Sequence, residues 1–312
     1  MAVSVDAALS GRSLVSIVDL DRAQIEQVLD VAESLGDSRT DDLKGMQVAL
    51  LFYEPSTRTR NSFLTAVHQL GGTAAGFDTA EGTSVKKGET LHDTIKMFEA
   101  YCDAIVLRHP RDGAARWAAD VSRVPVINAG DGKNQHPTQT LLDLYAIRKT
   151  QGRLDRLEVA LTGDLKFGRT VHSLADALAM VEGTVLHLAA PEGLAFPAQQ
   201  VRQLRERGVE VHEHHRLEEV VNHVDILYVT RIQRERMPDE SEYEKVRGTY
   251  RVTASLLEKA RPNMRVLHPL PRVDEIDTDV DATPHAWYFE QAAGGVPVRK
   301  ALLRLIAAGR GA

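Results

Sequence analysis

Val48-Ala49-Leu50-Leu51-Phe52-Tyr53-Glu54-Pro55-Ser56-Thr57-Arg58-Thr59-Arg60 joins an apolar run to a polar, basic one. Val48 to Tyr53 reads as a buried strand. The helix that follows is amphipathic, with Phe63, Leu64, Val67 and Leu70 on one face. Between them stand three hydroxyl residues and two arginines. Ser and Thr are favoured at helix N-caps, where the first N–H groups have no partner inside the helix. Those N–H groups, the positive end of the helix dipole, the hydroxyls and a guanidinium together suit a dianion such as phosphate. Taken alone, the run reads first as an ordinary cap with two surface arginines. Its position closing a strand brings a ligand level with that reading, because open α/β sheets bind ligands at that end.

On either side the same alternation continues. A helix is expected over residues 19–35, with Asp19 or Asp21 as its cap. After the opening strand and helix, Gly71-Gly72 stops the chain and Thr73–Phe77 reads as a short strand. Leu91–Tyr101 is a helix, Ala104–Leu107 a strand, Ala114–Asp120 a helix and Val124–Ile127 a strand. Pro137 then opens a longer helix to about Lys149, and Gln151-Gly152 ends it, a candidate domain crossing. A second set follows. Its strands are Leu157–Leu161, Val185–Ala189, Val209–His212, Asp225–Thr230 and Arg265–His268; its helices are Thr170–Val181, Pro197–Glu206, Leu217–His223 and Ala254–Lys259. Residues 231–250 read as a long mobile loop. The last helix spans about Trp287 to Ala308, with Pro297 placed to split or kink it. Strands alternating with helices predict parallel sheets covered by helices on both faces.

The length of 312 residues suggests two domains. A composition of 43% hydrophobic and 26% charged residues fits a globular chain with material for a core. The net charge of −6, with no long basic block, argues against nucleic acid as a partner. The single cysteine, Cys102, excludes an intrachain disulfide and a Cys-rich zinc site, and reads as a small core residue. No apolar run approaches the ~20 residues of a membrane helix, and the N-terminus lacks a signal-peptide layout, so a cytoplasmic protein is expected.

Five further segments place polar residues where strands end: Leu107-Arg108-His109-Pro110; Asn128-Ala129-Gly130-Asp131-Gly132, leading to Gln135-His136-Pro137-Thr138-Gln139; Gly163 to Thr170; Thr230-Arg231-Ile232-Gln233; and His268-Pro269-Leu270-Pro271-Arg272. Singly, Arg108, Arg231 and Gln233 read as surface residues and His136 as a helix cap. Together they converge on the crevice that the C-terminal strand ends of a doubly wound sheet share. Gly163-x4-Gly168-Arg169-Thr170 approaches a P-loop, but Arg replaces Lys and Asp164 brings negative charge into the cradle. Arg169 better suits a carboxylate, which its planar fork matches. His212 and His214 share one face of a strand and invite a metal, yet no third ligand is evident and none is expected. Glu81 to Thr90 reads as a mobile loop whose Ser84 and Lys87 can close on an anion.

The combination STRTR, KKGET, LRHP, NAGDG with QHPTQTLLDLY, GDLKFGRTVHS, TRIQRER and HPLPRVDEI closely resembles the catalytic chains of the aspartate carbamoyltransferase family, in order, over residues 12–308. STRTR alone marks the wider carbamoyltransferases. QHPTQ, GRTVHS, TRxQ and HPLPR narrow it, since an ornithine-using relative is expected to carry HCLP at residues 268–271. The resemblance implies an α/β fold with two doubly wound domains, each a parallel sheet with helices on both faces, joined by a long crossing helix and a C-terminal return helix. The carbamoyl phosphate-binding domain would be residues 1–136, completed by a helix over 288–312. Residues 137–152 would form the crossing helix and 153–287 the aspartate-binding domain.

It also implies roles. Ser56, Thr57, Arg58, Thr59 and Arg108 would hold the phosphate of carbamoyl phosphate. Thr59, Arg108 and His136 would contact its carbonyl oxygen. Gln139 and the backbone carbonyls of Pro269 and Leu270 would hold its amine. Arg169, Arg231 and Gln233 would bind the aspartate carboxylates. Ser84 and Lys87 would reach the neighbouring subunit's site, making the active unit a homotrimer, with Lys87 touching both substrates. Arg58, Thr59, Lys87, Arg108 and His136 would carry catalysis, with no cofactor and no metal. The implied reaction transfers the carbamoyl group to L-aspartate in de novo pyrimidine biosynthesis. A separate regulatory chain is left open.

Amine attack on a carbonyl builds negative charge on its oxygen, so donors aimed there should contribute most. No carboxylate is convincingly placed as general base, and the leaving phosphate is itself a candidate to take the amine proton. Domain closure would exclude water and align the reactants. The alternatives are a carbamoyltransferase for another amino acid, an anion-binding protein without chemistry, and a nucleotide hydrolase using residues 163–170.

Overall fold

A computed structural model of the chain describes residues 9–232 and 250–308. They form two compact units, Met1–Leu142 with Gly294–Ala312, and Asp143–Ala293.

The first unit is built on a four-stranded parallel sheet, β1 (Gln47–Phe52), β2 (Thr73–Phe77), β3 (Ala104–His109) and β4 (Val126–Asp131), in the order β2-β1-β3-β4. Successive side chains of a strand point to opposite faces. Val48, Leu50 and Phe52 therefore enter one core with Phe63, Ala66 and Val67 of α2 (Thr57–Gln69), while Ala49 and Leu51 enter another with Ile95 of α3 (Leu91–Tyr101) and Ala118 of α4 (Ala114–Val121). Both faces are buried, as the unbroken apolar run of β1 demands. Cys102 lies in the second core, 6% exposed. Helix α1 (Arg22–Leu35) is capped by Asp21, whose side chain accepts from Gln24 N–H.

Helix α5 (Pro137–Gln151) leads into the second unit. Its five strands are β5 (Glu158–Gly163), β6 (Val185–Ala189), β7 (Glu210–His214), β8 (Ile226–Thr230) and β9 (Arg265–Leu267), all parallel, in the order β7-β6-β5-β8-β9. Helices α6 (Arg169–Leu178), α7 (Ala198–Glu206), α8 (Ala254–Leu257) and α9 (Tyr288–Ala293) belong to this unit. Residues 217–223, expected as a helix, form only a single 3₁₀ turn at Leu217–Glu219, yet still bury Leu217, Val220 and Val221.

The C-terminal helix differs from its expectation. It is two helices, α9 and then α10 (Gly295–Ala307), and the break falls at Gly294. Pro297 does not kink it. It sits in the first turn of α10, where an absent N–H costs nothing. Only α10 joins the first unit. Leu303, Ile306 and Ala307 enter the core of Phe63 and Val67, and Lys300 donates to the carbonyls of Gly36 and Ser38 beyond the end of α1. No helix among the described residues is long and apolar enough to cross a membrane.

Candidate active site

Each sheet reverses its winding once. In the first unit the chain steps from β1 to β2 on one side, then to β3 on the other, so the reversal lies between β1 and β3. In the second it lies between β5 and β8. A crevice opens at such a switch point, beyond the carboxyl ends of the strands.

In the first unit that end collects the expected residues. Phe52 is in register with Arg108, and α2 starts at Thr57 just beyond. Ser56 is the N-cap, but its hydroxyl makes no capping hydrogen bond, whereas Asp21 and Thr90 do cap α1 and α3. The α2 donors and the Ser56 hydroxyl are thus left for another acceptor. Thr59 is buried, while Arg58 is exposed. Arg108 donates through Nη1 to the Ala129 carbonyl at 3.2 Å, and its Nε stands 3.8 Å from Glu54. That Nε is buried with no hydrogen bond among the described residues. Burial lowers the Arg108 pKa and Glu54 opposes the shift, but a guanidinium stays charged at neutral pH. A buried cationic donor without an acceptor calls for a ligand.

His136, buried, precedes α5, and its carbonyl accepts from Gln139 and Thr140 N–H. Two residues of the preceding strand end, to which the sequence assigned no role, brace the turn before it. Asn128 donates to Val15 O at 2.9 Å and to Asp131 at 2.8 Å, and accepts from Gly130 N–H. Asp131 accepts from the N–H groups of Gly113 and Gln135 and from Asn134. Asn and Asp beside glycines are also ordinary turn formers, so the sequence gives no signal that separates these two.

The expected mobile loop contains a 3₁₀ turn, Ser84–Lys87. Thr83 Oγ1 accepts from Val85 N–H, Gly88 ends the turn in the left-handed region, and Thr94 donates to Glu89 at 2.7 Å. Ser84 and Lys87 are exposed, and Lys87 makes no ion pair among the described residues.

In the second unit, Gly163 pairs with Thr230 at the switch point. Its φ is +103°, and a Cβ there would meet the Thr230 carbonyl at 1.9 Å, so only glycine fits. Asp164 is buried and accepts from Phe167 N–H at 2.9 Å. The carboxylate takes a donor that a phosphate cradle would need, which argues against the nucleotide-hydrolase alternative. Arg169 is half-buried at the first position of α6, and Arg231 is half-buried just after β8. Gln233 lies outside the described residues. Pro269 and Leu270 follow β9, half-buried, with Leu270 at φ +55°.

The histidines of β7 are joined to a histidine of the neighbouring strand. His187 of β6 pairs with His212, and its two ring nitrogens meet His214 at 3.0 Å and Glu158 at 2.6 Å. Among the described residues, no three His, Cys, Asp or Glu are placed to hold a metal ion.

The two units coincide with two family models. Residues 12–149 match the aspartate/ornithine carbamoyltransferase carbamoyl-P binding domain, and residues 155–306 match the Asp/Orn binding domain of the same family. The chain belongs to the aspartate/ornithine carbamoyltransferase family. Among its relatives, the aspartate carbamoyltransferase catalytic subunit of Thermococcus onnurineus is 56% identical over 300 residues, covering 95% of this chain and 96% of that one. The catalytic subunit of M. jannaschii aspartate transcarbamoylase superposes with a TM-score of 0.90 at 46% identity, covering 96% of this chain and 100% of that one. The Trypanosoma cruzi aspartate transcarbamoylase, solved with carbamoyl phosphate and aspartate, gives a TM-score of 0.91 at 38% identity, covering 96% and 98%.

Proposed function

We propose that the chain transfers the carbamoyl group of carbamoyl phosphate to the amine of L-aspartate, giving N-carbamoyl-L-aspartate and phosphate, as a step of de novo pyrimidine biosynthesis. The observation that carries this reading is the pair at the first switch point: a buried Arg108 Nε with no hydrogen bond among the described residues, and a helix N-terminus whose cap hydroxyl makes no capping hydrogen bond. In this reading Ser56, Thr57, Arg58, Thr59 and Arg108 bind the phosphate. Thr59, Arg108 and His136 stabilise the oxyanion, and Gln139 with the Pro269 and Leu270 carbonyls orients the carbamoyl amine. Arg169, Arg231 and Gln233 bind the aspartate carboxylates. Family kinship and the substrates held by the T. cruzi relative support it. The first unit is then the carbamoyl phosphate-binding domain and the second the aspartate-binding domain. Lys87 and Ser84 serve the site of a neighbouring chain in a cytoplasmic homotrimer, with or without a regulatory chain.

The test is to incubate the protein with carbamoyl phosphate and aspartate, without added metal, and measure carbamoyl aspartate. Product is expected. Product with ornithine but not aspartate overturns the acceptor assignment. Phosphate binding without product in either case overturns catalysis and leaves an anion-binding protein.

A further inference from the structure

The segment His268-Pro269-Leu270 is held by a chain of buried hydrogen bonds. Tyr228 of β8 donates its hydroxyl to Asp143 Oδ2 at 2.9 Å. Gln291 of α9 donates through Nε2 to Asp143 Oδ1 at 2.6 Å, and its Oε1 accepts from His268 N–H at 2.7 Å. The His268 ring then does two things. Its Nδ1 lies 2.8 Å from Leu270 N–H, and its Nε2 lies 2.7 Å from Glu275 Oε1. The other Glu275 oxygen accepts from the N–H groups of Val273 and Asp274, each at 3.1 Å. Tyr228, Asp143, Gln291 and His268 are at most 1% exposed and Glu275 is 7% exposed.

Because Leu270 N–H can only donate, His268 Nδ1 must be the lone-pair nitrogen. Nε2 therefore carries the proton and donates a hydrogen bond to Glu275, so the ring is neutral and in one tautomer. Burial alone would raise the Glu275 carboxyl pKa, but the His268 hydrogen bond, the charge that ring carries when protonated, and backbone N–H groups together lower it. What the ring fixes is a strained residue. Leu270, at φ +55°, sits in the left-handed region, which disfavours a residue that bears a side chain. Held this way, Leu270 turns the peptide groups on either side of it in set directions.

We propose that His268, oriented by Glu275 and by the Asp143–Gln291 link, is a positioning residue. Its Nδ1 holds Leu270 in the left-handed conformation and so aims the Pro269 and Leu270 carbonyls. The proposal rests on the reading above that those carbonyls hold the carbamoyl amine. It predicts a dependence on which ring nitrogen is kept, beyond any dependence on stability. An Asn side chain places its oxygen near the position of Nδ1 and can still accept from Leu270. A Gln side chain reaches toward Nε2 and leaves Leu270 N–H without its acceptor.

The experiment measures kcat, the KM for carbamoyl phosphate and Tm for the full-length wild type, His268→Asn and His268→Gln. With the two Tm values lowered alike, H268N should keep kcat within about ten-fold of wild type. H268Q should lose on the order of 10²-fold, the cost of misplacing a reacting group by an ångström. Equal activity losses in the two variants overturn the proposal and make His268 structural only. If either variant fails to fold, ¹⁵N NMR of the wild-type histidines decides. The His268 ring should be neutral and protonated at Nε2 at neutral pH, and a ring protonated at Nδ1, or at both nitrogens, overturns the assignment. A wild type that makes no carbamoyl aspartate defeats the functional reading beneath it, whatever the tautomer.

Discussion

An arginine in the first turn of a helix faces the positive end of the dipole and is opposed unless an anion joins it. Arg58 in α2 and Arg169 in α6 both stand there. Replacing Arg58 by Ala should cost turnover on the order of 10³-fold, since more than one transition-state contact goes with it. Stability should stay within about 0.5 kcal/mol, as expected for an exposed side chain. Activity assay beside thermal melting checks this, and a variant that melts much earlier would make Arg58 structural. Gly163→Ala should behave in the opposite way. The added methyl meets the Thr230 carbonyl in a left-handed conformation, so a loss of at least about 2 kcal/mol and a fall in Tm of about 4–8 °C are expected. Charged and hydroxyl residues at strand ends were readable from sequence because their chemistry is distinctive. Their supports were not. Asn128 reaches Val15 across 113 positions and Gln291 reaches Asp143 across 148, and no local pattern encodes a partner that distant.

At the level of elements, periodicity located every strand among the described residues but misjudged two helices, and the loop expected over residues 231–250 lies outside the described residues from 233 to 249. Residues 217–223 keep the helical spacing of apolar residues, yet tertiary burial of Leu217, Val220 and Val221 is met by one 3₁₀ turn and the hydrogen-bonded turn after it. At the C-terminus the eye goes to Pro297, although proline is harmless in a first turn and Gly294 is where the path divides. The β6–β7 histidines allow a prediction in pH. Burial, the leading cause, lowers the His187 pKa, and Glu158 opposes it. His223, whose ring centroid lies 4.8 Å from that of His187, is lowered by burial too. For such a group the unfolded chain takes up protons that the fold resists. Stability is therefore full above the unfolded histidine value of about 6.5 and falls as pH drops below it toward the depressed folded value. Tm followed downward from about pH 7 should decline less in His187→Gln than in the wild type. Equal slopes would remove His187 as a source of the decline.

For the whole molecule, the exposed Lys87 ammonium leads to a test of assembly. Lys87→Ala and Arg58→Ala should each be inactive as pure proteins. Denatured together and refolded, they should regain activity under the proposed shared site, in which some sites of a mixed assembly combine Arg58 from one chain with Lys87 from its neighbour. Mixed trimers, verified by size, that remain inactive would show that each site is made from a single chain.

The hydrogen bond from Gly11 N–H to the Ile306 carbonyl, at 2.9 Å, brings the two ends of the described chain together on the first unit. That unit is interrupted in sequence, since residues 143–293 form the other one between its two pieces. Order of synthesis and order of completion are therefore reversed. The unit that begins first on the ribosome must keep the Phe63 and Val67 surface uncovered until α10 has been made, while the later unit, continuous in sequence, can close before it. A circular permutant that joins the old ends and opens after Gly152 would make the first unit an uninterrupted stretch, with α10 made before the surface it covers.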